Sequence, residues 1–142
     1  MKYVVGFAFS PGFQNLLLVL KMRPDWQRGL LNGCGGKIEP GETDVQAMVR
    51  ECWEETGLET KEGDWTPVAF LEAPDCLVTF FYTEHHDLAS ATAKTDEHVI
   101  IVRSSDLRNL KVIPNLNWLV PLCQHFNAEI GGRISQPVCI FI

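Results

Sequence analysis

No apolar run in the 142 residues is longer than the five of Leu16–Leu20. A membrane-spanning helix needs roughly 20, so the chain offers no span. Met1-Lys2-Tyr3 leads into a strand-like segment with no small-residue cleavage site, and the expectation is a cytoplasmic protein with no membrane partner. Positive charge is also scarce. Twelve Lys and Arg stand against 18 Asp and Glu, for a net charge of -6 and a pI near 5.1. Nucleic-acid polymers are held by clustered basic residues, and the twelve here are scattered, so a polymer partner is excluded. An acidic protein that handles phosphates needs a divalent cation as intermediary. Paired cysteines are missing too: Cys34, Cys52, Cys76, Cys123 and Cys139 are odd in number, widely spaced and form no C-x-x-C. They read as reduced thiols, three of them among apolar neighbours. Repeats, low-complexity tracts and linkers are absent.

What is present suits one domain spanning 1–142. Hydrophobic residues make up 46% and charged residues 21%, ordinary globular proportions, and a chain of this size buries roughly 70% of its unfolded surface. Lys2–Phe9 and Asn15–Lys21 read as a hairpin about Ser10-Pro11-Gly12. A polar loop covers Met22–Leu31. Asn32-Gly33-Cys34-Gly35-Gly36 carries glycine at a density expected of a backbone approaching a ligand rather than of a core strand. Thr43 and Gln46 form a capping box for a helix Asp44–Thr56 that Gly57 stops. Trp65–Leu71, Cys76–Thr83 and His98–Val102 read as strands, separated by the turn Glu72–Asp75 and the polar loop Glu84–Asp96. Ser104–Leu107 reads as a helical turn. Asn115–Phe126 reads as a helix kinked by Pro121, and Val138–Ile142 as a short strand. The order implies an α+β fold, a mixed sheet packed by helices.

Chemistry shows on the first helix. At about 100° per residue from Glu51, the residues Met48, Cys52, Val45, Thr56, Val49 and Trp53 fall on an arc of about 60° to 200°, a core-facing stripe. Glu51, Glu54 and Glu55, with Ala47, fall on another face. Like charges at i, i+3 and i, i+4 repel, and a sequence selected only to fold would mix in lysines. A hard divalent cation relieves the repulsion, because Mg2+ and Mn2+ prefer carboxylate oxygens. Arg50 flanks the stripe and reaches Glu54 at i+4. A solvated acidic face is the alternative.

The segment before the helix decides between them. Gly36, five residues, Glu42, seven residues and then Arg50-Glu51-Cys52-Trp53-Glu54-Glu55-Thr56-Gly57-Leu58 resemble the Nudix hydrolase signature, G-x5-E-x7-R-E-U-x-E-E-x-G-U, where U is a bulky aliphatic. Eight of the nine defined positions over residues 36–58 match, and the ninth is Cys52, a small hydrophobe. The resemblance implies a Nudix fold, an α/β/α sandwich. It also implies hydrolysis of a nucleoside diphosphate linked to a further group, using Mg2+ with Mn2+ as a substitute. Position by position, it implies metal binding by Glu51, Glu54, Glu55 and the carbonyl of Gly35, with Glu54 in catalysis. Arg50 then orients a glutamate, Glu42 supports the loop–helix junction and Lys37 contacts phosphate, although a plain surface lysine reads equally well. Family members often add a downstream glutamate. Glu97 and Glu84 are the candidates, and Glu97 is preferred because it directly precedes the strand His98–Val102. A carboxylate in such a site takes a proton from metal-activated water.

The leaving nucleoside is read elsewhere. Asn32-Gly33-Cys34-Gly35-Gly36-Lys37 resembles the W-N-G-F-G-G-K segment of the animal oxidised-purine triphosphatases, in the MutT branch, which implies a nucleotide contact for Asn32. Pro114–Pro121 resembles the stretch before that branch's terminal helix. There Asn115 takes a base-reading place, while a plain helix N-cap is the alternative. Trp26 is an aromatic placed to stack on a base, and a partly buried packing role reads at least as well. Trp118 is a further substrate-side candidate. The acidic pair of the animal enzymes is replaced by Asn115 and Leu116, the NADH-enzyme array S-Q-P-W-P-F-P is missing, and Asp75 stands where dinucleoside-polyphosphate hydrolases carry tyrosine. The expectation is a nucleoside triphosphate pyrophosphohydrolase, MutT-like, acting on 8-oxo-dGTP or a related purine triphosphate and working as a monomer or homodimer. ADP-ribose or a nucleotide sugar is the alternative substrate, and a non-catalytic Nudix-fold binding module the remaining one.

Overall fold

Hydrophobic alternation along the strands dictates two cores. The computed structural model describes residues 1–130 and 138–141. On β1 (Lys2–Phe9), Val4 and Ala8 face one side and Phe7 and Phe9 the other. On β2 (Asn15–Leu20), Leu17 and Val19 oppose Leu16 and Leu18. This period-2 pattern lets one sheet bury both faces. The first face packs against α1 (Asp44–Thr56) through Met48 and Cys52, and the second against α2 (Leu116–Ile130) through Leu116, Leu119, Val120, Cys123 and Phe126. The result is the α/β/α sandwich expected, with a mixed sheet between helices.

The sheet is built outward from β1. β6 (Cys76–Glu84) runs parallel to it from Lys2↔Leu77 to Phe9↔Glu84. β5 (Thr66–Ala73) lies antiparallel to β6, and β8 (Val138–Phe141) parallel to β5. β7 (His98–Arg103) pairs antiparallel with β2. The other edge of β1 is divided. Ala8 and Phe9 pair with β2, whereas Tyr3–Gly6 pair with β4 (Cys34–Lys37). β3 (Leu31–Asn32) pairs instead with Val19 and Leu20 of β2. The chain therefore changes partner between Asn32 and Cys34, and the sheet forks at Gly33. A Cβ on Gly33 would strike the carbonyl of Gly6 and the ring of Phe7, so a side chain is excluded there.

Some expectations are corrected. The glycine-rich segment does enter the sheet, because β4 uses its glycines to lie flush against β1; a Cβ on Gly35 would strike the backbone of Val4. The loop Met22–Leu31 contains a short helical turn, Asp25–Gln27, and its last residue belongs to β3. α2 begins one residue later than expected and continues through Pro121 to Ile130. Ile142, the end of the expected last strand, lies outside the described residues. The capping box of α1 is present, with Gln46 N–H donating to Thr43 Oγ1 at 3.2 Å and Thr43 N–H to Gln46 Oε1 at 2.9 Å. Gly57 ends the helix at φ 72°. Trp53 does not join the core: it is 42% exposed and lies under the ammonium of Lys94. The buried arc of α1 is turned instead toward Ala47 and Glu55, so the carboxylate face and the core face overlap. Among the described residues, no helix is long and apolar enough to cross a membrane.

Candidate active site

Two cations divide the carboxylates between them. Arg50 holds the first set. Its Nε donates to Glu42 Oε2 at 2.9 Å and its Nη2 to Glu42 Oε1 at 2.7 Å. Its Nη1 donates to Glu51 Oε1 at 2.8 Å and Glu54 Oε2 at 3.1 Å, and Nη2 also reaches the Lys37 carbonyl at 3.0 Å. The planar five-donor guanidinium is what makes this possible. Its hydrogen bonds draw the Glu42 carboxyl down to about 2. Glu42 in turn accepts the Glu39 N–H at 2.7 Å, fixing the turn that feeds α1. Glu51 is pushed up by burial, against the pull of Arg50. Glu54 remains half-exposed. No Cβ separates Glu51 from β4, because one on Gly36 would strike the Glu51 carboxylate.

Lys21, expected to end the second strand but lying just past β2, holds the second set. Its Nζ lies 2.9 Å from Glu97 Oε1 and 3.6 Å from Glu55 Oε2. The Gly35 N–H donates to Glu55 Oε1 at 3.0 Å, and the Met22 N–H to Glu97 Oε2 at 2.6 Å. Burial is the largest influence on Glu55 and raises its carboxyl to about 7 despite Lys21 and the Gly35 N–H. Next along the chain, Arg23 pairs with Asp96 at 2.7 Å on the surface. Residues 21–23 thus fasten the loop after β2 to the loop that carries Glu97. Glu84, the other downstream candidate, is exposed at the end of β6, whereas Glu97 is buried beside Glu55.

A cavity of about 510 Å³ opens at the fork. Gly33, Gly35 and Gly36 border it, as do Lys21, Trp26, Asn32 and Asn115. Trp26 is 67% exposed, so it is no packing residue. Asn32 is held on both sides: its Oδ1 accepts the Gly33 N–H at 2.8 Å and its Nδ2 donates to Gln27 Oε1 at 3.2 Å. Asn115 Oδ1 is buried and has no hydrogen-bond partner, so its side chain does not cap α2. The backbone carbonyl of Asn115 accepts the Leu119 N–H at 2.9 Å.

The glutamates and Arg50 lie beyond the glycines and do not line this cavity, and neither do Trp118 and Lys37. Trp118 is 42% exposed. It falls about 200° around α2 from Leu116, opposite the buried stripe. Lys37 is the exposed last residue of β4, and it enters the site only through its carbonyl. Lys21 and Gln27 were the residues sequence reasoning missed. Lys21 left a signal, a single charge ending the apolar run Leu16–Leu20; Gln27 left none.

A divalent cation suits this donor set. Glu55 Oε2 is a buried carboxylate oxygen with no hydrogen-bond partner, and Glu51, Glu54, Glu97 and the Gly35 carbonyl supply further hard oxygens. Among the described residues no three His, Cys, Asp or Glu side chains converge into a ready cage. Arg50 and Lys21 account for this by drawing the glutamates into separate groups.

The chain is similar to proteins of one kind. The family described as NUDIX domain matches residues 3–115. The CTP pyrophosphohydrolase of Escherichia coli K12 is 42% identical over 118 residues, which is 83% of this chain and 86% of that protein. A solved MutT structure, from work on Aliivibrio salmonicida and Vibrio cholerae, superposes with a TM-score of 0.72 at 24% identity, covering 85% of this chain and 95% of that one. The Nudix domain of Shewanella oneidensis NrtR, solved with ADP ribose, superposes with a TM-score of 0.68 at 15% identity, covering 88% of this chain and 86% of that one.

Proposed function

The chain belongs to the Nudix family, and on that premise we propose that it is a nucleoside triphosphate pyrophosphohydrolase releasing a nucleoside monophosphate and pyrophosphate. The observation that carries the reading is the junction of the two parts of the site. The glycines of β3–β4 border both the cavity and the glutamates, so a nucleoside in the cavity directs its phosphates at Glu51 and Glu55.

Glu51, Glu54, Glu55, Glu97 and the Gly35 carbonyl would hold Mg2+ or Mn2+. When bound, the metal neutralises the phosphates and lowers the pKa of a coordinated water. The chain's own groups do the rest. Glu54 is the half-exposed carboxylate and receives the proton from the attacking water at its free oxygen. Arg50 fixes Glu51 and Glu54 relative to β4 through the Lys37 carbonyl. Water oxygen bonds to a phosphorus of the α–β anhydride, the P–O bond of that bridge breaks, and nucleoside monophosphate and pyrophosphate separate. Trp26 covers the base, Asn32 positions the nucleoside, and Asn115 Oδ1 accepts a base N–H.

A cytosine base is the first choice. Its exocyclic amino group supplies the N–H that Asn115 Oδ1 lacks, and the 42% identical relative is a CTP pyrophosphohydrolase. An oxidised purine such as 8-oxo-dGTP is the second reading, favoured by the Asn32–Lys37 segment. A panel of cytosine, uracil, adenine, guanine and 8-oxoguanine triphosphates with Mg2+, read by pyrophosphate release, tests both. Highest kcat/KM for a cytosine nucleotide is expected. Preference for 8-oxo-dGTP selects the second reading, and no pyrophosphate from any triphosphate overturns the function.

A further inference from the structure

We propose that Lys21 is a built-in counter-cation, its ammonium standing at a divalent-metal position between Glu55 and Glu97, from which metal must displace it. The proposal rests on the reading above that these two glutamates are metal ligands.

The hydrogen bonds are arranged for such an exchange. Each carboxylate has one oxygen anchored by a backbone N–H: Glu55 Oε1 by Gly35 and Glu97 Oε2 by Met22. The remaining oxygen of each faces the same ammonium, at 3.6 Å and 2.9 Å. Both glutamate side chains are 6% exposed and Lys21 is 12% exposed. Two buried carboxylates this close need a cation to share the pocket, and with metal removed Lys21 supplies it. The ammonium serves Glu97 better than Glu55, whose Oε2 is left without a hydrogen bond. A dication bound directly to oxygen satisfies both. Because the anchored oxygens are held by backbone, the carboxylates keep their places when Lys21 withdraws. The cavity that Lys21 already borders gives its flexible stem room to move.

A lysine that only braces the loop after β2 would leave metal affinity alone, so the test is Mn2+ titration of the nucleotide-free protein by calorimetry, in wild type and Lys21→Met. The variant is expected to bind Mn2+ at least about tenfold more tightly, since a competing charge is gone. Its melting temperature in chelator should fall, and saturating Mn2+ should return it close to wild type. If Lys21→Met does not fold without metal, Lys21→Gln keeps a donor for Glu97 without the charge and carries the same expectation. Equal or weaker Mn2+ binding by the variants overturns the counter-cation while leaving the metal reading standing. Mn2+ binding by neither wild type nor variant overturns both.

Discussion

Asn115 shows how a single atom separates two roles that one residue type fills. A capping asparagine spends its side-chain oxygen on a helix N–H; here Oδ1 is buried without a partner beside the cavity. Asn115→Ala is therefore expected to leave the melting temperature nearly unchanged. It should cost roughly 1–3 kcal/mol in kcat/KM for the preferred base alone. Thermal melts and kinetics on two purine and two pyrimidine triphosphates check this. A stability loss of about 1 kcal/mol with uniform kinetic loss would return Asn115 to the capping role. The sequence left these roles open because both ask for an asparagine just before a helix. Only the direction of the side chain separates them, and that is a tertiary property. The placement of Trp118 is open in the sequence for the same reason. It is close to Asn115 in sequence, but helical geometry turns it to the opposite side.

At the scale of elements, α1 and β4 make the site together. The signature of α1 was readable because cap, stop glycine and carboxylate spacing are local. Its rotation was not, since the burial of Glu55 depends on β4 lying beneath it. The glycines of β4 separate two costs. Gly35→Ala meets backbone, which cannot yield, and is expected to destabilise the fold strongly. Gly36→Ala meets the movable Glu51 carboxylate and should keep the fold within about 1 kcal/mol while lowering metal-dependent turnover. Melting temperature and kcat for both variants test the contrast; equal destabilisation would place backbone, not Glu51, above Gly36. The burial of Glu55 also sets a pH dependence. Its folded-state carboxyl, raised to about 7, binds a proton more tightly than in the unfolded chain. The contribution to stability is thus fully present below about 4.5 and is lost as pH rises toward 7. In chelator, wild type is expected to lose stability across this window more steeply than Glu55→Gln, and denaturant melts at intervals between pH 4.5 and 7.5 read the difference. Parallel curves for the two proteins would contradict it.

Over the whole molecule, the forked sheet brings together residues far apart in sequence: Lys21, the glycines of 33–36, the glutamates of α1, Glu97 and Asn115. The sandwich was legible because strand alternation and one capped helix leave few ways to bury two faces. The fork was not, because a glycine-rich strand carries no alternation, and neither was the clamp of Lys21, a contact across 76 residues of chain. All of these residues bear on the proposed metal-dependent cleavage of a triphosphate to monophosphate and pyrophosphate. Product analysis of the purified protein with CTP and Mg2+, alongside Glu54→Gln, tests it most directly. One pyrophosphate per CMP is expected, with no turnover in chelator and a fall of several orders of magnitude in kcat for a variant whose circular dichroism matches wild type. Release of single phosphates, turnover that persists in chelator, or near-normal kcat for Glu54→Gln would contradict it.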